Sequence, residues 1–140
     1  MNDRQWETLL AVIRGESVRP LPTGFIVDSP WLPDWAGHSI LDYYTQERVF
    51  LEDNLKAIDA FPGAWLLPGF WPEYGMCTEP SAFGAIMTWG ENEFPFADRM
   101  IREVAQIDDL AEPNVATDGL LPFMLNRLKG ARPRLEDMGH

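Results

Sequence analysis

Apolar residues at Trp6, Leu9, Leu10 and Ile13 recur at spacings of three and four, which predicts an amphipathic helix capped by Asn2 or Asp3 and stopped at Gly15. That stripe is expected to lie on the core. Residues 23–28, Thr-Gly-Phe-Ile-Val-Asp, form a short apolar run between Pro22 and Pro30 and read as a buried strand ending at Asp28. Ser39 and Asp42 resemble a capping box, and Tyr44, Leu51, Leu55 and Ile58 share one face of the helix they open, which ends at Phe61, Pro62 and Gly63. A second strand follows at residues 64–67. Strand, helix, strand is the pattern of a βαβ unit, for which a parallel pair is the default. The loops after Asp28 and after Leu67 then leave the same C-terminal edge of an α/β sheet, where such folds hold their ligands.

Further along, residues 85–89 read as a third strand, and Met100, Ile101, Val104 and Ile107 predict a helix over residues 97–107. A capped helix is expected at Thr117, with Pro122 in its first turns and Leu121, Met124, Leu125 and Leu128 as its apolar face. Residues 132–140 read as the opening turns of another helix, so the pattern predicts an architecture that continues past His140.

Composition narrows the function classes. The chain has 140 residues, which is one domain over 1–140, and 46% of them are hydrophobic, enough to build a core. Its net charge of −11 opposes contact with phosphate backbones or anionic lipid, so neither nucleic acid nor a membrane is an expected partner. Cys77 is the single cysteine, which excludes an internal disulfide or a multi-cysteine zinc motif within these residues and suits a reducing cytoplasm. All the aromatic residues except Trp6, Phe25 and Phe123 fall between Trp31 and Phe96, a stretch that includes the Pro- and Gly-rich segment PGFWPEYGMCTEPSAFG. Aromatic side chains spaced in this way belong on long shaped loops, where binding sites are built, or on loops that cover a core.

Several residues in these loops have the chemistry for a site. Asp28 ends the first strand at the ligand edge, or serves as an Asx-turn residue before Ser29 and Pro30. Glu73 and Glu79 can hold a cation, act as acid or base, or be solvated. His38 is a candidate ligand or proton carrier, or a turn residue beside Gly37. Trp31, Trp35, Phe70, Trp71 and Tyr74 can form the apolar wall of a pocket for a large flat ligand, or a sealing layer. Cys77 lacks metal-binding partners and reads as an inert buried thiol, so no metal site is expected within the chain. Dinucleotide, Walker A, serine-elbow and HExxH signatures are all missing from the sequence.

Four segments carry a family resemblance: Leu-Pro-Thr-Gly-Phe-Ile-Val-Asp-Ser-Pro-Trp at 21–31, Gly-His-Ser-Ile-Leu-Asp-Tyr-Tyr at 37–44, Leu-Pro-Gly-Phe-Trp-Pro-Glu-Tyr-Gly-Met at 67–76 and Thr-Glu-Pro-Ser-Ala-Phe-Gly at 78–84. Together they resemble the N-terminal part of uroporphyrinogen decarboxylase superfamily proteins. The resemblance implies the first βα units of a (β/α)8 TIM barrel, incomplete in this chain because such a barrel needs roughly 250 residues. It also implies a cytoplasmic enzyme that is either a cofactor-free lyase of porphyrin biosynthesis, decarboxylating a tetrapyrrole, or a zinc-dependent methyltransferase that takes a methyl-donor substrate and works with a corrinoid protein. Zinc would then be held by residues of the intact protein beyond this chain, and the isolated 140 residues are expected to be inactive. The chain departs from the decarboxylases at two places. Their Met-Arg-Gln-Ala-Gly-Arg motif after the first strand is Ile-Val-Asp-Ser-Pro-Trp at 26–31, and their Phe-Ser-Asp motif after the second is Pro-Gly-Phe-Trp at 68–71. A reading of another class is a non-catalytic binding module.

Overall fold

The computed structural model describes residues 2–26, 30–67 and 69–139. Helix α1 (Asp3–Ile13) begins where the sequence predicts. The Asn2 side chain accepts from the Gln5 N–H while the Gln5 side chain accepts from the Asn2 N–H, and Gly15 at φ 76° takes the left-handed conformation that ends the run. Strands β1 (Gly24–Ile26) and β2 (Trp65–Leu67) pair in parallel, with Gly24 opposite Trp65 and Ile26 opposite Leu67. The mixed helix-and-strand reading and the parallel pair therefore hold.

Three helices join the two strands. Helix α2 (Trp31–Ala36) ends at Gly37, α3 (Ile40–Thr45) starts on Ser39, whose hydroxyl accepts from the Asp42 N–H, and α4 (Glu47–Ala60) runs on to β2. The single helix expected across this span is broken at Gln46, whose extended backbone (φ −115°, ψ 108°) separates α3 from α4. The capping box is only half formed, because the Asp42 carboxylate turns to the Gln46 side chain amide at 2.7 Å. Tyr43 and Tyr44 from α3 and Val49, Phe50 and Ala57 from α4 make the centre of the core, and Trp89 packs its ring against Tyr44 and Tyr74.

After β2 a 3-10 turn at Gly75–Cys77 leads into α5 (Thr78–Ala82). The predicted third strand is instead one arm of a hairpin, β3 (Met87–Thr88) against β4 (Phe96–Ala97), antiparallel and separate from the β1–β2 pair. With the Trp89 ring docked on the helical core, the segment is anchored there and does not extend the parallel sheet. The helix expected over 97–107 shrinks to a 3-10 turn at Val104–Ile107, since Val104 is 82% exposed and the apolar spacing has no core to face. Helix α6 (Leu121–Asp137) starts four residues after Thr117 and continues through Pro133, so the separate terminal helix read from residues 132–140 is the last part of α6. A proline there costs one helical hydrogen bond on a surface where water can replace it.

Two expectations about burial fail. Helix α1 buries none of its residues, with Trp6 52% and Ile13 70% exposed, and β1 is exposed throughout, with Phe25 at 56% and Ile26 at 81%. A pair of three-residue strands has too little surface to cover either element.

Candidate functional site

The residues singled out from sequence fall in different places. Asp28 lies outside the described residues. Trp31 stacks on Trp35 at 5.2 Å between ring centroids, and both meet Phe61, which ends α4 just before β2. The Lys56 ammonium sits 5.1 Å over the Trp35 ring and donates to the Ala36 carbonyl. The aromatic residues that follow β1 thus pack against the element preceding β2, while those that follow β2 turn toward the helical core. The ring-to-ring contacts fall into two sets, and Trp35 also packs against the helical core.

His38 is tied to α4. Its Nδ1 hydrogen-bonds Asp53 Oδ1 at 2.8 Å, tying the α2–α3 connection to α4. Burial pushes the Asp53 carboxyl up from its usual range, against the opposing pull of His38, and Asp53 Oδ2 has no hydrogen-bond partner among the described residues. Phe70 packs its edge on Phe50 and also lines a cleft of about 330 Å³ beside β2, where Gln5, Asn54, Asp59 and Phe61 contribute further walls. Trp71 is half-buried, and Glu79 is exposed in the first turn of α5. Glu73 lines a separate cavity of about 380 Å³ with Met76, Cys77 and Phe94. Burial raises the Cys77 thiol, holding it neutral.

Tyr74 is a residue of the core. Its ring stacks on Tyr44 at 6.0 Å, its N–H donates to the fully buried Thr78 hydroxyl, and burial raises its phenol. On its other contact lies a residue absent from the sequence-derived candidates. Arg127 of α6 is 1% exposed, with its guanidinium carbon 4.2 Å over Tyr74 and 4.6 Å over Phe50. Its Nη2 donates to the carbonyls of Tyr43 and Tyr44 in the last turn of α3, and its Nε donates to Glu47 Oε1 at 2.9 Å. The positive charge therefore sits at the negative end of α3 as well as beside a carboxylate. Its Nη1 is buried and unpaired among the described residues. The sequence signal for Arg127 was its spacing, three residues after Met124 on the apolar face of α6, where a cation is out of place unless something receives it.

Among the described residues there is no group of three or more His, Cys, Asp or Glu side chains that could hold a metal ion, and no helix is long and apolar enough to cross a membrane. No family model matches the chain, and no similar protein is found among curated proteins or solved structures.

Proposed function

We propose that this chain forms the opening βα units of a (β/α)8 barrel enzyme of the uroporphyrinogen decarboxylase superfamily, with the C-terminal edge of its parallel strands turned to the substrate. The observation that supports it is the parallel pairing of Gly24 with Trp65 and Ile26 with Leu67 across three intervening helices, followed by the long Gly-, Pro- and aromatic-rich loop after Leu67. The exposure of Phe25 and Ile26 adds to it, because parallel strands are stable in proteins when both faces are covered. Further strands and helices of a barrel would cover them.

Within that superfamily the nominal reaction is decarboxylation of a tetrapyrrole. One feature favours the other branch, methyl transfer with a corrinoid protein. A substrate with many carboxylates needs cations at the strand ends, whereas residues 24–36 contain no Lys or Arg and the loop after β2 presents Glu73. Zinc for methyl transfer would be bound by the rest of the intact protein.

The test is to assay the protein from the complete reading frame containing these residues, with uroporphyrinogen and, separately, with a methylated substrate plus corrinoid protein. Methyl transfer that is lost on chelation supports the favoured branch, and carbon dioxide release without metal supports the nominal one. Residues 1–140 alone are expected to turn over neither. Turnover by that chain, or a monomer of it that melts cooperatively and binds no hydrophobic dye, would overturn the barrel reading in favour of a self-sufficient binding module.

A further inference from the structure

Three carboxamides, Asn2 and Gln5 of α1 and Asn54 of α4, line the cleft of about 330 Å³ beside β2, and in each of them a backbone group fixes which end is oxygen and which is nitrogen. Asn54 is 7% exposed. Its Nδ2 donates to the Phe50 carbonyl at 2.8 Å and to the Tyr43 hydroxyl at 3.0 Å, so both amide protons are engaged and Oδ1 has no partner among the described residues. A backbone carbonyl only accepts, which excludes the flipped amide. On the α1 wall the polarity is reversed. The capping box engages Asn2 Oδ1 with the Gln5 N–H at 2.9 Å and Gln5 Oε1 with the Asn2 N–H at 3.0 Å, so the NH2 groups of both side chains are the ends without partners among the described residues.

The cleft therefore combines a buried acceptor on α4 with donors on α1, and Phe61, Trp65 and Phe70 supply its aromatic surface, Phe61 being 40% exposed. No Lys or Arg is among its lining residues and Asp59 is the one charged side chain there, an arrangement that favours a neutral ligand over an anion. Its volume is at the small end for ligand sites, which run from about 300 to 1,000 Å³, and suits a single ring. We propose that this cleft binds a neutral planar heterocycle with a ring N–H beside a ring carbonyl, as in a free pyrimidine base. The ring N–H donates to Asn54 Oδ1, the carbonyl accepts from Gln5 Nε2 and Asn2 Nδ2, and the ring lies on the aromatic wall. A ligand without the N–H leaves the Asn54 oxygen unmet, which is the basis of selection. This inference is independent of the barrel reading, since it concerns binding and needs no turnover.

Uracil is the probe. The controls are 1,3-dimethyluracil, which keeps the ring and carbonyls but has no N–H, phenol, which donates but has no carbonyl, and orotate, the uracil carboxylate. Titration of the 15N-labelled chain should shift the side-chain amides of Gln5 and Asn54 and the Trp65 indole N–H together and saturably, with uracil binding at least about fivefold tighter than each control, in line with one lost hydrogen bond. Gln5→Glu and Asn2→Asp keep the oxygens that cap α1 and replace the NH2 donors with acceptors. Each should leave the melting temperature within a degree or so and weaken uracil about fivefold, which separates a lost donor from a damaged helix. The proposal is overturned if uracil leaves the cleft signals unmoved, if any control matches it, or if both variants bind uracil as the unsubstituted chain does.

Discussion

The helical block around Arg127 mixes apolar and charged residues and the parallel pair β1–β2 is wholly apolar, yet among the described residues it is the first that has an interior. Around Arg127 the rings of Phe50, Tyr44 and Tyr74 meet one another or the guanidinium, and the charge itself is 1% exposed. Around β1, Phe25 and Ile26 project into solvent, and α1 turns Trp6 and Ile13 the same way. The difference is one of covering elements. Helices α3 and α4 pack on each other and receive the Arg127 side chain of α6, whereas two strands of three residues pair along one edge and leave Phe25 and Ile26 uncovered. An apolar stripe therefore states that a face needs a partner, and whether the partner is present is a separate fact.

The comparison can be broken at either end. The largest effect is expected for Arg127→Met, which keeps much of the side-chain volume but strips the Tyr43 and Tyr44 carbonyls and Glu47 of their donor. A loss of about 3–5 kcal/mol in urea denaturation is expected, and a loss below about 1 kcal/mol would mean that the block does not depend on the buried charge. Gly119→Ala comes next. Gly119 sits at φ +54° where a Cβ would lie 2.4 Å from Ser81 Oγ and 2.5 Å from the Ala82 nitrogen, at the junction where the Leu120 N–H donates to that same hydroxyl. Strain and overlap together should remove about 3 kcal/mol.

A smaller effect is read as a slope with pH. Burial raises Asp53, so the folded chain holds that proton more tightly than the unfolded one. The stability this contributes is full below the unfolded carboxyl value of about 3.9 and is lost as pH rises through the raised folded value. Asp53→Asn, which retains an acceptor for His38, should therefore gain on the unsubstituted chain as pH increases from about 3.5 to 6.5 in parallel melts. On the sheet side the effects should be slight. Asn2→Ala should cost about 1 kcal/mol, felt as faster amide exchange confined to the first turn of α1. Ile26→Thr should change stability by less than about 0.5 kcal/mol while lowering aggregation, and a larger loss would show that β1 is buried in solution.

What was legible in the sequence was local. The Asn2 and Ser39 caps, the stops at Gly15 and Phe61 and the parallel β1–β2 pair all rest on short-range stereochemistry and on spacing. Val104 and Ile107 have helical spacing but no surface to dock on, and the chain there prefers a tight turn after the hairpin extended by the Asp98 N–H to the Ile86 carbonyl. The candidate site was legible only in part. Phe70 lines a cleft, while Tyr74 meets Arg127 and His38 meets Asp53, partners distant in sequence that no local pattern announces. Arg127 was overlooked for the same reason, because a cation on an apolar face makes sense only once the rings and carbonyls that receive it are in place.

Arg127 follows Glu47 by 80 residues and Tyr43 by 84. At a synthesis rate of about 5–20 residues per second, an interval on the order of ten seconds separates the emergence of α3 from that of the side chain that joins it to α6. Until Arg127 follows, the nascent chain displays the face of Phe50 and, once it is made, that of Tyr74. The ribosome-bound intermediate is thus a sticky one until α6 supplies the side chain that closes it.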